Sequence, residues 1–222
     1  MSEGSLAQVL EKAARLQEVV PNAVLVGGSA AALHAHHRES VDNDHVVTDL
    51  EARFDAILEN LEALGDWSLI RAQPGKIILG ELGGIPTGVR QLLRRRPLET
   101  IAVDVGGRRL VVPTVEELLR IKGWLALTRN QTRDYLDVAA VADRIGIERA
   151  AAVLQAIDDY YADLNRRPEA VATQLARQLA DPRPRDEAVT RELSAYKGLA
   201  PRWQDWTAVT SVLATLAEGM TR

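Results

Sequence analysis

The feature of the sequence that most constrains the fold is the apolar run Val24-Leu25-Val26, which ends in Gly27-Gly28-Ser29. The next residues, 30–35, are rich in alanine and favour a helix. Bare backbone N–H groups and a serine hydroxyl at a helix N-terminus attract anions such as phosphate. The segment therefore predicts a strand, an anion-binding turn and a short helix, in that order.

A pair of carboxylates, Asp42 and Asp44, follows this helix on the predicted strand 41–47. Residues two apart in a strand point to the same side, so both carboxylates can hold one cation while Asn43 faces away. Mg²⁺ prefers oxygen ligands and often bridges carboxylates to substrate phosphates. A glycine-serine turn alone is common in loops, but with the two acids it predicts a site for a nucleoside triphosphate (NTP) and Mg²⁺.

The chain resembles the polymerase-β-like nucleotidyltransferase superfamily and, within it, the AbiEii/MenT-type nucleotidyltransferase toxins of prokaryotic toxin–antitoxin systems. The resemblance rests on residues 27–30, Arg38–Asp44, Lys122 and Arg133–Asp137. The first segment is shared by the whole superfamily, whereas the later ones are narrower. The pair His45-Val46 departs from the pattern, because the family usually has bulkier apolar or aromatic residues after the acids.

The resemblance implies an α+β fold, with a polymerase-β-like core of mixed sheet and helices over residues 1–113 and an α-helical part over residues 114–222. It implies transfer of a nucleotide from an NTP to an RNA acceptor, such as the 3′ end of tRNA, with Mg²⁺ as cofactor and a cognate antitoxin as partner. The implied nucleotide-binding residues are Gly28, Ser29, Ser40 and Lys122. The implied catalytic residues are Asp42, Asp44, Lys122 and Asp137, of which Asp42 and Asp44 also bind the metal.

The spacing of the later motif residues favours one of its two acids. On a straight helix Lys122, Arg133 and Asp137 share a face, whereas Asp134 lies about a third of a turn away. If the helix breaks before Thr132, that residue becomes an N-cap and Asp134 joins the first turn in a capping role. Either geometry favours Asp137 as the site acid. The alternative is a surface stripe with a solvated Arg133–Asp137 pair.

The other predicted elements follow from periodicity and turn residues. We predict helices over residues 5–19, 49–64 and 87–95, strands over residues 67–71 and 76–82, and a hairpin of strands 101–105 and 109–112. Thr114 is the predicted cap of the next helix, with Glu117 three residues on. From there helices continue to the C-terminus, with a break at Asn130-Gln131.

Two further sites have open alternatives. Asp104 lies in the apolar segment 101–105, and superfamily members commonly place a third metal-binding acid on a later strand of the same sheet. The alternative is an edge-strand residue that faces water.

The cluster Arg94-Arg95-Arg96 is the best basic patch for contact with an RNA backbone. Its alternative is a solvated helix end.

Histidines near the acids raise the question of a metal site. The residues are His34, His36, His37 and His45. Their spacing on a helix does not place two of them on one ligand face, and neither a cysteine nor a carboxylate partners them at metal-site spacing. We therefore predict that they are surface histidines.

Composition excludes several classes of protein. The chain has no cysteine, which excludes disulfides and thiolate metal sites, and its net charge of −4 argues against a uniformly basic nucleic-acid coat. No apolar run approaches the roughly 20 residues that span a bilayer, and the N-terminus lacks the basic and apolar regions of a signal peptide. We therefore expect a cytoplasmic protein without a membrane segment.

Other functions fit parts of the pattern. A nucleotidyltransferase that modifies a small molecule is the first, and salt distinguishes it, because RNA binding through phosphates weakens steeply with salt. A non-catalytic binding protein on the same fold is the second, and it would release no pyrophosphate. An Asp-x-Asp glycosyltransferase is the third, and the Gly-Gly-Ser turn ahead of the acids argues against it.

Overall fold

The computed structural model describes residues 6–196 and 198–222, which divide into two compact units. The first unit comprises residues 6–33, 39–93 and 97–114. The second comprises residues 115–222 together with two short segments from the N-terminal half, residues 34–38 and 94–96. The second unit therefore includes the loop that leads toward the acidic strand and all three residues of the arginine cluster.

The N-terminal half alternates helices and strands. In chain order these are α1 (Leu6–Val19), β1 (Val24–Leu25), α2 (Gly27–Ala35), β2 (Asn43–Val47), α3 (Leu50–Glu62), β3 (Trp67–Gln73), β4 (Ile77–Leu82), β5 (Ile85–Gln91), β6 (Thr100–Val105) and β7 (Arg108–Pro113). The predicted strand, turn and helix around Gly27 are confirmed, as is the hairpin β6–β7.

The strands form a mixed five-stranded sheet in the order β1-β2-β5-β4-β3 and a separate two-stranded sheet, β6-β7. Within the larger sheet β2 and β5 are parallel, and the other neighbouring strands are antiparallel. The parallel register places Asp44 beside Gly88 and Val46 beside Arg90. The predicted mixed sheet is therefore confirmed, and the acidic strand lies inside it.

The predicted helix over residues 87–95 is wrong. Residues 85–91 form β5, which is paired on both sides by β2 and β4. Residues 92–96 follow the strand and do not form a helix either. Within the strand, Thr87 and Val89 are buried β-branched residues, which suit a pleated surface better than a helix.

The larger of two hydrophobic clusters among the described residues of the first unit lies on one face of the large sheet. Helix α3 and the end of α1 pack there against buried side chains of the strands, including Val47, Ile78 and Val89. On β2 the buried residues Asn43, His45 and Val47 alternate with the partly exposed Asp44 and Val46. This confirms that Asn43 faces away from Asp44, whose carboxylate lies on the opposite, open face.

The second unit is helical after residue 114, as predicted. Its helices are α4 (Val115–Arg129), α5 (Thr132–Ile145), α6 (Ile147–Gln155), α7 (Asp158–Tyr161), α8 (Val171–Ala180) and α9 (Trp206–Met220), with short 3-10 turns at Glu187–Arg191, Leu193–Ala195 and Pro201–Gln204. The predicted break at Asn130-Gln131 is confirmed, and Asn130 adopts a positive φ of 55° there. No helix in the described part of the chain is long and apolar enough to cross a membrane.

Candidate active site

The glycine turn lies directly against the acidic strand. Helix α2 begins at Gly27, and the N–H of Val26 just before it donates to the main-chain oxygen of Asp44 at 2.8 Å. Gly27 has a φ of +75°, and a Cβ built there would lie 3.1 Å from Oδ2 of Asp44. Glycine is therefore required both by the backbone conformation and by the approach of the carboxylate.

Gly27→Ala should lower the free energy of unfolding by about 1–2 kcal/mol, since a side chain strains this left-handed conformation, and it should also reduce activity by displacing Asp44. Gly84→Ala is a matched control, because Gly84 has a φ of +79° but no heavy atom within 4 Å of the added Cβ. Urea unfolding should show a loss of stability in both variants, and the loss in Gly27→Ala should be at least as large as that in Gly84→Ala. Equal activity of both variants would contradict the role of Gly27 beside Asp44.

Ser29 fixes the chain that carries the acids. Its hydroxyl donates to the main-chain oxygen of Asp42 at 2.5 Å and lies 3.1 Å from the hydroxyl of Ser40. Both serines are buried, with Ser29 fully so. The Ser29 hydroxyl therefore contacts the acidic segment in this structure, and the groups of the turn best suited to meet a phosphate are the backbone N–H groups at the start of α2.

Asp42 and Asp44 occupy the end of a loop and the start of a strand. Asp42 is exposed just before β2, and the side chain of Asp44 is 36% exposed within it. Oδ1 of Asp44 lies 3.7 Å from Nε of Arg90 on the neighbouring strand. The open side of β2 thus presents carboxylate oxygens that a cation and its ligands can reach.

These residues fit a magnesium ion that binds together with a nucleotide. Gly27 and Gly88 flank the Asp44 carboxylate, and a Cβ at either position would lie 3.1 Å from one of its oxygens. Residues 6–196 and 198–222 contain no group of three or more His, Cys, Asp or Glu side chains that could hold a metal ion. Mg²⁺ typically takes one or two carboxylates and completes its shell with phosphate oxygens and water.

Asp137 is the centre of a buried ionic cluster in the second unit. Its Oδ1 lies 2.7 Å from Nε2 of His37 and accepts from Nε of Arg38 at 2.8 Å. Its Oδ2 accepts from Nζ of Lys122 at 2.6 Å and from Nη2 of Arg38 at 3.1 Å. Burial alone would raise the pKa of Asp137, but the charges of Lys122 and Arg38 outweigh it and hold the pKa well below its usual range.

The structure brings Lys122 and Asp137 together, although they lie on different helices. Their side chains are only 4% and 0% exposed, so the alternative of a solvated surface stripe is wrong. His37 and Arg38 complete the cluster and were not among the predicted site residues. Arg38 belongs to the segment that carries the family resemblance, and a basic residue ahead of paired acids is the signal that could have indicated it.

Asp134 does not cap helix α5. The N-cap position is Gln131, one residue earlier than predicted, and the N–H of Thr132 donates to Oδ1 of Asp186 at 2.8 Å. Asp134 is instead buried, and its Oδ2 has no hydrogen-bond partner among the described residues. Burial raises the pKa of Asp134, and the nearby charge of Lys122 only partly opposes this effect.

The prediction of an exposed arginine cluster is wrong for Arg94. Its guanidinium is buried, pairs with Oε1 of Glu117 at 2.5 Å and lies over the rings of Tyr160 and Tyr161. Arg96 stacks on Tyr160 at 3.9 Å from the ring centre, and the N–H of Arg95 donates to Asp163 at 3.1 Å. The segment is thus held within the second unit by aromatic and acidic groups, and only Arg95 and Arg96 are exposed.

Asp104 does not lie on the sheet that carries Asp42 and Asp44. It belongs to the two-stranded sheet, is exposed, and accepts from the N–H of Gly107 in its own hairpin turn at 3.3 Å. The expectation of a third acid on the same sheet is therefore wrong, and the alternative of a water-facing residue describes Asp104.

The histidines divide into two kinds. His36 is exposed and His34 is partly exposed, whereas His37 and His45 are buried, so the surface prediction is wrong for the latter two. Neither ring nitrogen of His45 has a hydrogen-bond partner among the described residues. Burial lowers the pKa of His45 to about 3, although the main chain of Asn43 opposes the shift, so the ring is neutral at physiological pH.

His45→Leu should raise the free energy of unfolding by about 1 kcal/mol, because a buried polar group without a hydrogen bond costs about 1–3 kcal/mol. The exposed His36 provides the comparison: it has a positive φ of 50°, which leucine tolerates less well, so His36→Leu should not be more stable than the wild type. Chemical denaturation of both variants measures the effect. A clear loss of stability in His45→Leu would mean that the ring has a partner in solution, such as an internal water molecule.

Comparison of the sequence with known proteins carries little functional information. The sequence matches no family model. It is 45% identical over 95 residues to the mycolic acid-containing lipids exporter MmpL11 of Mycolicibacterium smegmatis, and 44% identical over 112 residues to the heme uptake protein MmpL11 of Mycobacterium tuberculosis. These matches cover 42% and 48% of this chain but only 10% and 11% of those proteins. The chain thus spans about a tenth of the length of the curated relatives it matches, and their transport activities are not carried over.

Solved structures resemble the fold over about 70% of the chain or more. The solution structure of the antibiotic-resistance factor ANT(2'')-Ia has a TM-score of 0.53 at 14% identity, over 71% of this chain and 94% of that one. Its crystal structure with adenylyl-2''-tobramycin gives 0.51 at 13% identity, over 69% and 97%. The structure of a putative nucleotidyltransferase from Helicobacter pylori gives 0.53 at 16% identity, over 100% of this chain and 96% of that one. At such identities the likeness concerns the fold alone, and the protein has the mixed α+β fold of these structures, with helices after the sheet.

Proposed function

We propose that the protein is a nucleotidyltransferase that transfers a nucleotide from an NTP to an RNA acceptor, such as the 3′ end of tRNA, with Mg²⁺. The observation that carries the proposal is the contact between the Gly27 turn and Asp44 on a strand of the nucleotidyltransferase-like sheet. An anion-binding helix start beside two carboxylates is what a metal-bound triphosphate requires.

Each part of the first unit has a role in this proposal. The N–H groups at the start of α2 receive phosphate oxygens, and Asp42 and Asp44 hold the metal through their carboxylates. Ser29 keeps the Asp42 main chain in place through its 2.5 Å hydrogen bond. When bound, Mg²⁺ supplies positive charge to the triphosphate as pyrophosphate leaves.

The remaining parts of the proposal rest on the motif resemblance. They are a contact of Lys122 with the triphosphate, completion of the catalytic set by Asp137, nucleotide binding through Gly28 and Ser40, and RNA contact by Arg95 and Arg96. The toxin role, the cognate antitoxin and the cytoplasmic location are likewise proposed on the resemblance.

A small-molecule acceptor is the second candidate. It is favoured by one observation, the fold shared with ANT(2'')-Ia, whose crystal structure contains adenylyl-2''-tobramycin. An aminoglycoside carries several amines, whereas RNA is a polyanion, so the two acceptors call for opposite charges on the protein.

The test is incubation with Mg²⁺ and each labelled NTP in turn, with either total tRNA or tobramycin as acceptor. We expect label on tRNA that depends on Mg²⁺ and falls steeply with salt. Label on tobramycin alone would support the second candidate. Release of no pyrophosphate with either acceptor, from a cooperatively folded protein, would contradict both.

A further inference from the structure

A cavity in the first unit lies between the end of α1, the strand pair β1–β2 and the turn of the β6–β7 hairpin. Its volume is about 750 Å³, and all of its lining residues belong to the first unit. This volume falls within the roughly 300–1,000 Å³ typical of small-ligand sites. Part of its wall is formed by Val24 and Val46, which are opposite each other across the β1–β2 pair.

The cavity continues the open face that carries Asp44. Val46 is two residues beyond Asp44 on β2, and the burial pattern puts both on the face opposite the core. Two residues of strand span about 6.6 Å. A ligand that lies against Val46 is therefore about one nucleotide unit or less from the Asp44 carboxylate.

The charge of the cavity favours an anion. Its charged lining residues are Glu18, Arg108 and Arg109, and Arg108 forms an ion pair with Glu18. Arg109 forms no ion pair or side-chain hydrogen bond with the residues that the structure describes. Asp104 is opposite Arg109 in the hairpin but does not line the cavity. One arginine is thus left to meet a ligand.

We propose that this cavity binds the terminal nucleotide of the RNA acceptor, with Arg109 on a phosphate and the valine and leucine side chains of the wall against the sugar and base. The proposal rests on the proposed function and specifies where its acceptor binds. The apolar wall, which includes Val24, Val46 and Leu98, suits the weakly polar surface of a base. The lining holds two arginines against one glutamate, and this excess of positive charge disfavours a polyamine such as an aminoglycoside.

Binding of total tRNA to the protein without NTP tests the cavity independently of catalysis. Arg109→Ala should weaken binding about tenfold, by loss of a charge-assisted hydrogen bond, and should lower the log–log salt slope by roughly 0.7 to 0.9. Arg71→Ala is the matched control, because Arg71 is an exposed strand arginine whose side chain contacts only Gln73, at 3.5 Å, among the described residues. It should bind tRNA like the wild type.

Val46→Phe, which reduces the cavity, should raise the KM for tRNA while leaving the KM for NTP unchanged. The melting temperature of Val46→Phe shows whether this variant folds. If it does not, Arg109→Ala still tests the proposal, because Arg109 is exposed and its replacement should not disturb the fold. Wild-type tRNA affinity and salt slope in Arg109→Ala would overturn the assignment even if transfer to tRNA is observed. The wild type could transfer no nucleotide while Arg109→Ala still loses tRNA binding. In that case the proposed nucleotidyl transfer is wrong, but the assignment of the cavity to the terminal nucleotide of RNA is supported.

Discussion

Asp137→Asn should lower the free energy of unfolding by about 3–5 kcal/mol, the usual cost of removing one partner from a buried ion pair. The loss is large because Lys122 and Arg38 would keep their charges in a buried site without a carboxylate to balance them. Urea denaturation followed by circular dichroism measures it. The stability loss must be known before any loss of activity in this variant is assigned to catalysis.

Asp134→Asn is the matched control on the same helix. Asp134 is also buried, but burial raises its pKa and one of its oxygens has no hydrogen-bond partner among the described residues. The ionised carboxylate of Asp134 therefore lowers the stability of the folded protein. Asp134→Asn should leave the free energy of unfolding unchanged or slightly increased. An Asp137→Asn variant as stable as Asp134→Asn and the wild type would show that the ionic cluster around Asp137 does not stabilise the second unit.

The contribution of Asp137 should also depend on pH. The cluster holds the pKa of folded Asp137 well below the value of about 3.9 expected in the unfolded chain. The ionised carboxylate therefore contributes its full stability above pH of about 4 and loses it as the pH falls through the folded pKa. The stability difference between wild type and Asp137→Asn should be constant near neutrality and shrink in acid. A difference that grows in acid would contradict this reasoning.

Asp42→Asn should reduce nucleotidyl transfer by about 10³-fold or more, since it removes a proposed metal ligand from a site where charge stabilisation is the main catalytic contribution. Its stability should change by less than about 0.5 kcal/mol, as is usual for exposed positions. Asp42 is exposed, and Ser29 bonds its main-chain oxygen, which the substitution keeps. Pyrophosphate release with Mg²⁺ and total tRNA measures the effect.

Asp181→Asn controls for the loss of one surface carboxylate. Asp181 is 69% exposed and pairs with Arg183, so its replacement should leave transfer at the wild-type rate. Asp44→Asn should behave like Asp42→Asn, because both carboxylates are assigned to the same ion. If Asp42→Asn retains wild-type turnover while cooperatively folded, the assignment of the metal to this strand is wrong.

Local features of the fold could be read from the sequence because they depend on neighbours in the chain. The strand, the glycine turn and helix α2 follow one another within residues 24–35, and alternation along β2 correctly separates Asn43 from Asp44. The break before α5 is likewise local, since Asn130 adopts the left-handed backbone conformation that asparagine tolerates. Periodicity and turn chemistry act over a few residues and are visible without a structure.

Only the tertiary structure decides which polar side chains are buried and what they meet. His37 reaches Asp137 across 100 residues of sequence, and Arg94 is buried against Glu117 and two tyrosines, although the sequence presents it as part of an exposed cluster. Residues 85–91 form a strand because β2 and β4 pair with both of its edges. A buried charge, or the hydrogen-bonding edge of a strand, pairs with whichever group the fold brings near it. When that group lies many residues away in the chain, the local sequence does not reveal it.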